Sequence, residues 1–191
     1  MRKLKLQMQI SLDGFVGSPR GFNAKWNDEA NNYSIENLKS VDCIVLSGKV
    51  GKDFVPHWAA VGGDAGLADH LFGKRVTELP KIVFSNTLKD GVLENTTIIK
   101  GDLTEEINKL KNSAGGDLLT YGGASFASSL IKANLVDEYH LLVNPIALGT
   151  GMAIFNQLQD NLQLRLVGNT GFNCGTVVLV YQPAAFMESF A

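Results

Sequence analysis

Four short stretches carry the residues that could do chemistry, and each follows an apolar run. They are Ser11-Leu12-Asp13-Gly14-Phe15-Val16-Gly17, Ser47-Gly48-Lys49, Ser85-Asn86-Thr87 and Gly122-Gly123-Ala124-Ser125. The last follows Leu118–Tyr121 and opens a segment in which Phe126, Ala127, Leu130 and Ile131 share one helical face. A glycine pair between strand and helix lets a ligand come close to the backbone. Free N–H groups at the helix start favour an anion there. Lys49 would supply a cation to a phosphate, and Ser85, Asn86 and Thr87 offer polar groups to a sugar. Each stretch also has a plain reading: a βα turn, a solvated lysine, ordinary turn and cap residues. The four together favour a nucleotide site, provided that they all lie at the carboxyl ends of parallel strands.

The surrounding pattern supplies such strands. Lys3–Ile10 alternates apolar and polar residues and reads as a first strand. A helix is expected over Asp28–Lys39, with Asp28 as its cap. Further strands are expected at Val41–Leu46, Lys81–Phe84, Val92–Lys100, Leu118–Tyr121 and Val136–Asn144. Between them lie a short helix over Lys49–Phe54, an ambiguous stretch from His57 to Gly73, and helices over Leu103–Asn112 and Ala124–Ala133. Leu162–Val167 and Thr176–Tyr181 read as two last strands joined by a turn at Gly168-Asn169-Thr170-Gly171. Alternating strands and helices predict an α/β fold with a mostly parallel central sheet, flanking helices and an antiparallel C-terminal edge. No linker or repeat divides residues 1–191, so one domain is expected, with a loosely held tail from Pro183.

Composition narrows the function classes. With 45% hydrophobic and 19% charged residues the chain is an ordinary globular protein, and a net charge of -2 gives no footprint for nucleic acid or an anionic membrane. No apolar run approaches the roughly 20 residues that span a bilayer, and the N-terminus lacks the continuous apolar segment of a signal peptide. Cys43 and Cys174 stand far apart, which fits a reducing cytoplasm. They form no zinc motif, and His57, His70 and His140 show no metal spacing, so no metal is expected. Trp26 and Trp58 either pack in the core or line a pocket where a flat heterocycle would stack.

The ordered set S-L-D-G at 11–14, L-S-G-K at 46–49, V-F-S-N-T-L at 83–88, Y-G-G-A-S at 121–125, L-V-D-E-Y-H-L at 135–141 and P-I-A-L-G-T-G at 145–151 resembles the dihydrofolate reductase-like family that includes the C-terminal reductase domain of the riboflavin-pathway enzyme. The likeness extends from about residue 3 to 181 and is nearest to stand-alone bacterial members. It implies NADPH as hydride donor and reduction of a pyrimidine- or pterin-like heterocycle, as in the uracil reductase of riboflavin biosynthesis. The alternatives are a weak dihydrofolate reductase, or a catalytically idle nucleotide-binding protein that kept the fold. It places Gly122, Gly123, Ala124 and Ser125 on the pyrophosphate. Gly48 and Lys49 then face the 2′-phosphate, and Ser85, Asn86 and Thr87 the adenosine end. Reduction also needs a proton, for which the resemblance offers Asp13, or Asp28 if its helix turns it inward. It aligns Asn32 with the acid of folate-reducing members, and Tyr121 with a glutamate of the riboflavin-type members. Lys49 stands where an arginine is usual, and Gly51 where a threonine is. A homodimer is expected by the same analogy.

Overall fold

The computed structural model describes residues 1–184; the tail expected to be loose lies mostly outside the described residues. The strands are β1 (Leu4–Ser11), β2 (Val41–Ser47), β3 (Lys81–Phe84), β4 (Thr96–Ile99), β5 (Asp117–Thr120), β6 (Glu138–Asn144), β7 (Leu164–Gly171) and β8 (Val177–Pro183). The helices are α1 (Asp28–Asn37), α2 (Gly48–Gly63), α3 (His70–Glu78), α4 (Leu103–Asn112) and α5 (Ala124–Lys132). The strands form one 8-stranded sheet in the order β4-β3-β2-β5-β1-β6-β8-β7. Every pairing from β4 to β6 is parallel, and β8 joins β6 and β7 antiparallel. The fold is therefore the α/β class that the alternation predicts. Among the described residues no helix is long and apolar enough to cross a membrane.

Side chains on the two faces of β1 sort by period two. Leu4, Leu6, Met8 and Ile10 enter a core completed by Ile107 of α4 and Ala127, Leu130 and Ile131 of α5. The opposite face of the sheet carries a second apolar cluster of Ile44, Leu46, Val83 and Leu119 against Val55 of α2 and Phe72 and Val76 of α3. On that face β1 presents Lys5, Gln7 and Gln9. Alternation of this kind ordinarily marks a strand with one side in water. Here Lys5 and Gln7 are buried, and the inner face of α1 that covers them is itself polar.

Several boundaries depart from the sequence pattern. Asn27, not Asp28, caps α1: its side chain accepts from Ala30 N at 3.0 Å, and Asp28 becomes a first-turn acid. The helix expected to stop at Phe54 runs on to Gly63 through Pro56. Burial of Val55 and packing of Phe54 and Trp58 against the second cluster outweigh the hydrogen bond that proline removes. Gly62 is a packing residue rather than a break, because a Cβ there would lie 2.6 Å from the backbone of Lys74. The last hairpin turns at Phe172–Thr176, four residues beyond the expected site. Phe172 N donates to Thr176 O at 2.8 Å, and Gly175 adopts φ 87. Gly168-Asn169 instead lies within β7, paired with Val180 and Leu179 just after a register shift that leaves Val167 as the extra residue.

Candidate functional site

The ends of β2, β3 and β5 converge on one edge. Ser47 Oγ accepts from Val50 N at 3.3 Å and so caps α2. A Cβ on Gly48 would sit 2.7 Å from Ser85 Oγ, so the two strand ends touch. Between them opens a cleft of about 440 Å³ lined by Gly48, Lys49, Lys52, Asp53, Phe84, Ser85 and Thr87. Lys49, Ser85 and Thr87 are thus brought together as the sequence suggested. Asn86 is exposed in the same turn and does not line the cleft. Ser85 Oγ also accepts from Thr87 N at 3.3 Å and Leu88 N at 3.1 Å, so it shapes the turn that it decorates. Lys52 and Asp53 were missed. The helix expected over Lys49–Phe54 already contains both, at i+3 and i+4 from Lys49 and so on its face.

The glycine pair closes this edge from the β5 side. Gly122 and Gly123 both hold positive φ, 86 and 78. A Cβ would meet Met8 Cε at 2.8 Å in the first case and Val50 Cγ2 at 2.9 Å in the second. Glycine is therefore demanded here by the crossing of the turn over β1 and α2. The same crossing leaves α5 with no side-chain cap, so the first N–H groups, at half-buried Ala124 and exposed Ser125, have no intrahelical acceptor. With Lys49 and Lys52 on the adjoining helix, these groups fit a phosphate-bearing ligand. Asp53 suits a sugar hydroxyl better than a phosphate.

Beside it along α2, sharing Lys52 and Asp53, lies an open groove of about 610 Å³ lined also by Val50, Phe54, Pro56, His57 and Trp58. Its aromatic wall continues inward. Phe54 stacks on Tyr121 at 5.3 Å, Trp58 meets Phe72 edge-on at 4.6 Å, and Trp26 lies 5.6 Å from Phe72. Trp58 therefore lines the groove, and Trp26 packs against Trp58 and Phe72 beside it. Burial pushes the Tyr121 phenol far above its ordinary range and keeps it neutral.

Asp13 ties two loops together. Its carboxylate accepts from Ser11 Oγ at 2.6 Å, Leu148 N at 3.0 Å and Gly149 N at 2.7 Å. The S-L-D-G and P-I-A-L-G-T-G stretches are therefore two halves of one contact, extended by Val16 N to Met152 O at 2.9 Å. These bonds, that from Ser11 foremost, lower the Asp13 pKa from 3.8 to about 2. A carboxylate held ionised in this way orients a loop readily and gives up no proton at neutral pH. Asp28 is exposed on the first turn of α1. One turn further in, Asn31 is the buried asparagine and Asn32 faces solvent, so the inward position of α1 falls one residue before the one that the resemblance aligned.

Beneath α1 runs a buried polar row. Gln7 Nε2 donates to Ser34 Oγ at 2.7 Å, and Asn37 Nδ2 donates to Gln7 Oε1 at 2.8 Å. Lys5 Nζ donates to Asn37 Oδ1 at 3.2 Å and Ser40 Oγ at 2.9 Å. Beside it, His140 bridges Tyr33 at 2.5 Å and Glu138 at 2.8 Å. The hydrogen bond from His140 holds the Glu138 carboxyl well below its usual range against the opposing effect of burial. No group of three or more metal-ligating side chains occurs among the described residues.

Comparison with known proteins places this arrangement. The family described as the RibD C-terminal domain matches residues 2–178. The uncharacterized protein YyaP of Bacillus subtilis (strain 168) is 32% identical over 183 residues, 94% of either chain. A Shewanella sp. PV-4 protein named for riboflavin biosynthesis shares the fold at a TM-score of 0.68 and 21% identity, over 97% of this chain and 100% of its own. So does the Thermotoga maritima diaminohydroxyphosphoribosylaminopyrimidine deaminase/5-amino-6-(5-phosphoribosylamino)uracil reductase, at a TM-score of 0.66 and 15% identity; the alignment spans 96% of this chain and 57% of that one. The chain belongs to the RibD C-terminal domain family.

Proposed function

We propose, with that membership as premise, that the protein is an NADPH-dependent reductase of a small pyrimidine- or pterin-like heterocycle. One observation carries the reading: a two-lysine cleft and an aromatic groove lie side by side along α2, sharing Lys52 and Asp53, and the uncapped start of α5 meets α2 at Val50. The first suits a dinucleotide's phosphates, the second a flat ring. In this reading Lys49 and Lys52 hold the 2′-phosphate, Ser85 and Thr87 border the adenosine, and the backbone of Gly122, Gly123, Ala124 and Ser125 takes the pyrophosphate. When bound, the nicotinamide would supply the hydride. Trp58, Phe54 and Tyr121 hold the substrate ring and keep water from its face. Asp13 serves as a positioning residue that fixes the loop from Ser11 to Gly17 at the mouth. Asp28, at the exposed helix start, remains the second candidate for delivering a proton. The homodimer expected by analogy would use β7, the terminal strand, which exposes Leu166 and Val167; sedimentation as a monomer would remove that part of the reading.

A specific observation favours a second reading, that of an idle binding protein. Neither candidate carboxylate is buried: Asp13 is held ionised by its loop donors, and Asp28 is in solvent. Turnover separates the two. A reductase consumes NADPH, read as loss of nicotinamide absorbance, when offered aminouracil or dihydropterin substrates. Asp13→Asn should then lower kcat about tenfold or more through misplacement of the loop. NADPH binding without turnover on any such ring would leave the idle protein as the correct account.

A further inference from the structure

The cleft of about 440 Å³ between α2 and the end of β3 holds two cations and one anion. Lys49, Lys52 and Asp53 stand at i, i+3 and i+4, so they share one face of α2. All three are exposed and line the cleft, and among the described residues none of them makes an ion pair or a side-chain hydrogen bond. Other helices of this chain do pair their surface charges. Lys39 meets Glu36 at 2.7 Å and Lys109 meets Glu106 at 2.6 Å, in both cases with the acid first in sequence. In α2 the lysine precedes the acid, which is the less favourable order. The Asp53 carboxylate and both ammonium groups are therefore left available to the cleft.

The facing wall is neutral. Ser85 Oγ and Thr87 Oγ1 lie 3.4 Å apart at the end of β3. Gly51 adds nothing to recognition, because a Cβ there would meet Val83 Cγ2 at 3.0 Å and that position faces the packed core. Discrimination at a bound sugar thus falls to the three charged groups. A phosphate monoester carries a charge of about −1.5 to −2 at neutral pH. It gains from Lys49 and Lys52 and is repelled by Asp53. A free ribose hydroxyl can donate to a carboxylate. Dinucleotide sites in general take a 2′-hydroxyl with a carboxylate and a 2′-phosphate with a cation. This cleft carries both devices at once.

We propose that Asp53 sets the cofactor preference, so that the protein takes NADH as well as NADPH. The free 2′-hydroxyl of NADH donates to Asp53. The 2′-phosphate of NADPH is drawn to Lys49 and Lys52 against the repulsion of Asp53. The inference rests on the reading of this cleft as the cofactor's, and it names a second cofactor and the residue that admits it.

The test titrates NADH and NADPH in parallel against the whole protein, each followed by energy transfer from Trp26 and Trp58 to the nicotinamide. The two dissociation constants of the wild-type protein should lie within about tenfold of each other. Asp53→Asn should tighten NADPH and weaken NADH, and so move their ratio about tenfold or more toward NADPH. Asp53→Glu should keep the ratio near that of the wild type, and Lys52→Ala should move it toward NADH. Added salt should weaken NADPH binding more than NADH binding. The melting temperature should hold in all three variants, because no side chain loses a partner. A preference of about a hundredfold or more for NADPH in the wild-type protein would overturn the proposal and leave the cofactor reading intact. An unchanged ratio in Asp53→Asn would do the same. Binding of neither dinucleotide would overturn both.

Discussion

β1 is buried on both faces, and the two faces do opposite work. Leu4, Leu6, Met8 and Ile10 pack into an apolar core against α4 and α5. Lys5, Gln7 and Gln9 meet a polar helix. Along that second face satisfaction falls away in one direction. Lys5 and Gln7 have full sets of partners, Gln9 has one free donor, and α1 matches this with a bonded Asn37, a bonded Ser34 and a half-free Asn31. The apolar face holds the fold. The polar face holds it at one end and is left incomplete at the carboxyl end, where ligands bind in sheets of this kind. Incomplete hydrogen bonding next to complete hydrogen bonding marks where stability has been traded for recognition.

The contrast can be broken by substitution. The largest effect is expected on the apolar face: Leu6, fully buried, should cost about 2–5 kcal/mol as Leu6→Ala in urea unfolding. Gln7→Leu should cost about 1–3 kcal/mol, because it strands Ser34 and Asn37. If it stabilised the protein instead, the polar face would be incomplete along its whole length and the contrast would vanish. The smallest effect concerns the loop tie. The Asp13 pKa is depressed, so its contribution is complete above its ordinary value of 3.8 and is lost as pH falls through about 2. The amide signals of Leu148 and Gly149 should titrate with a midpoint of about 2; a midpoint at the ordinary carboxylate value would show that the tie does not form in solution.

Much of this was legible in sequence where local signals agree with tertiary context. The spacing of Leu103, Ile107 and Leu110 predicted α4 over Leu103–Asn112, the bounds that the structure shows. The motif order predicted that Lys49, Ser85 and Thr87 share an edge. What failed were places where packing overrides punctuation. Pro56 and Gly62 look like breaks, yet one is carried by a helix with a buried face and the other allows α2 to approach α3. Gly168-Asn169 looks like a turn, yet both residues pair with β8 just after an irregularity at Val167. The polar row of β1 could be read as a pattern but not as burial, because nothing in Lys5, Gln7 or Gln9 alone announces a polar helix above them. The role of Asp13 needed two loops that are distant in sequence to be seen in contact.

The central claim is the proposal that the cleft between α2 and the end of β3 takes NADPH through Lys49 and Lys52. Titration with NADPH, followed by energy transfer from Trp26 and Trp58 to the nicotinamide, tests it most directly. Saturable transfer below about 1 mM, weakened about tenfold or more when Lys49→Ala and Lys52→Ala are combined, is the predicted result. No saturation in that range, or equal affinity in the double variant, would contradict it.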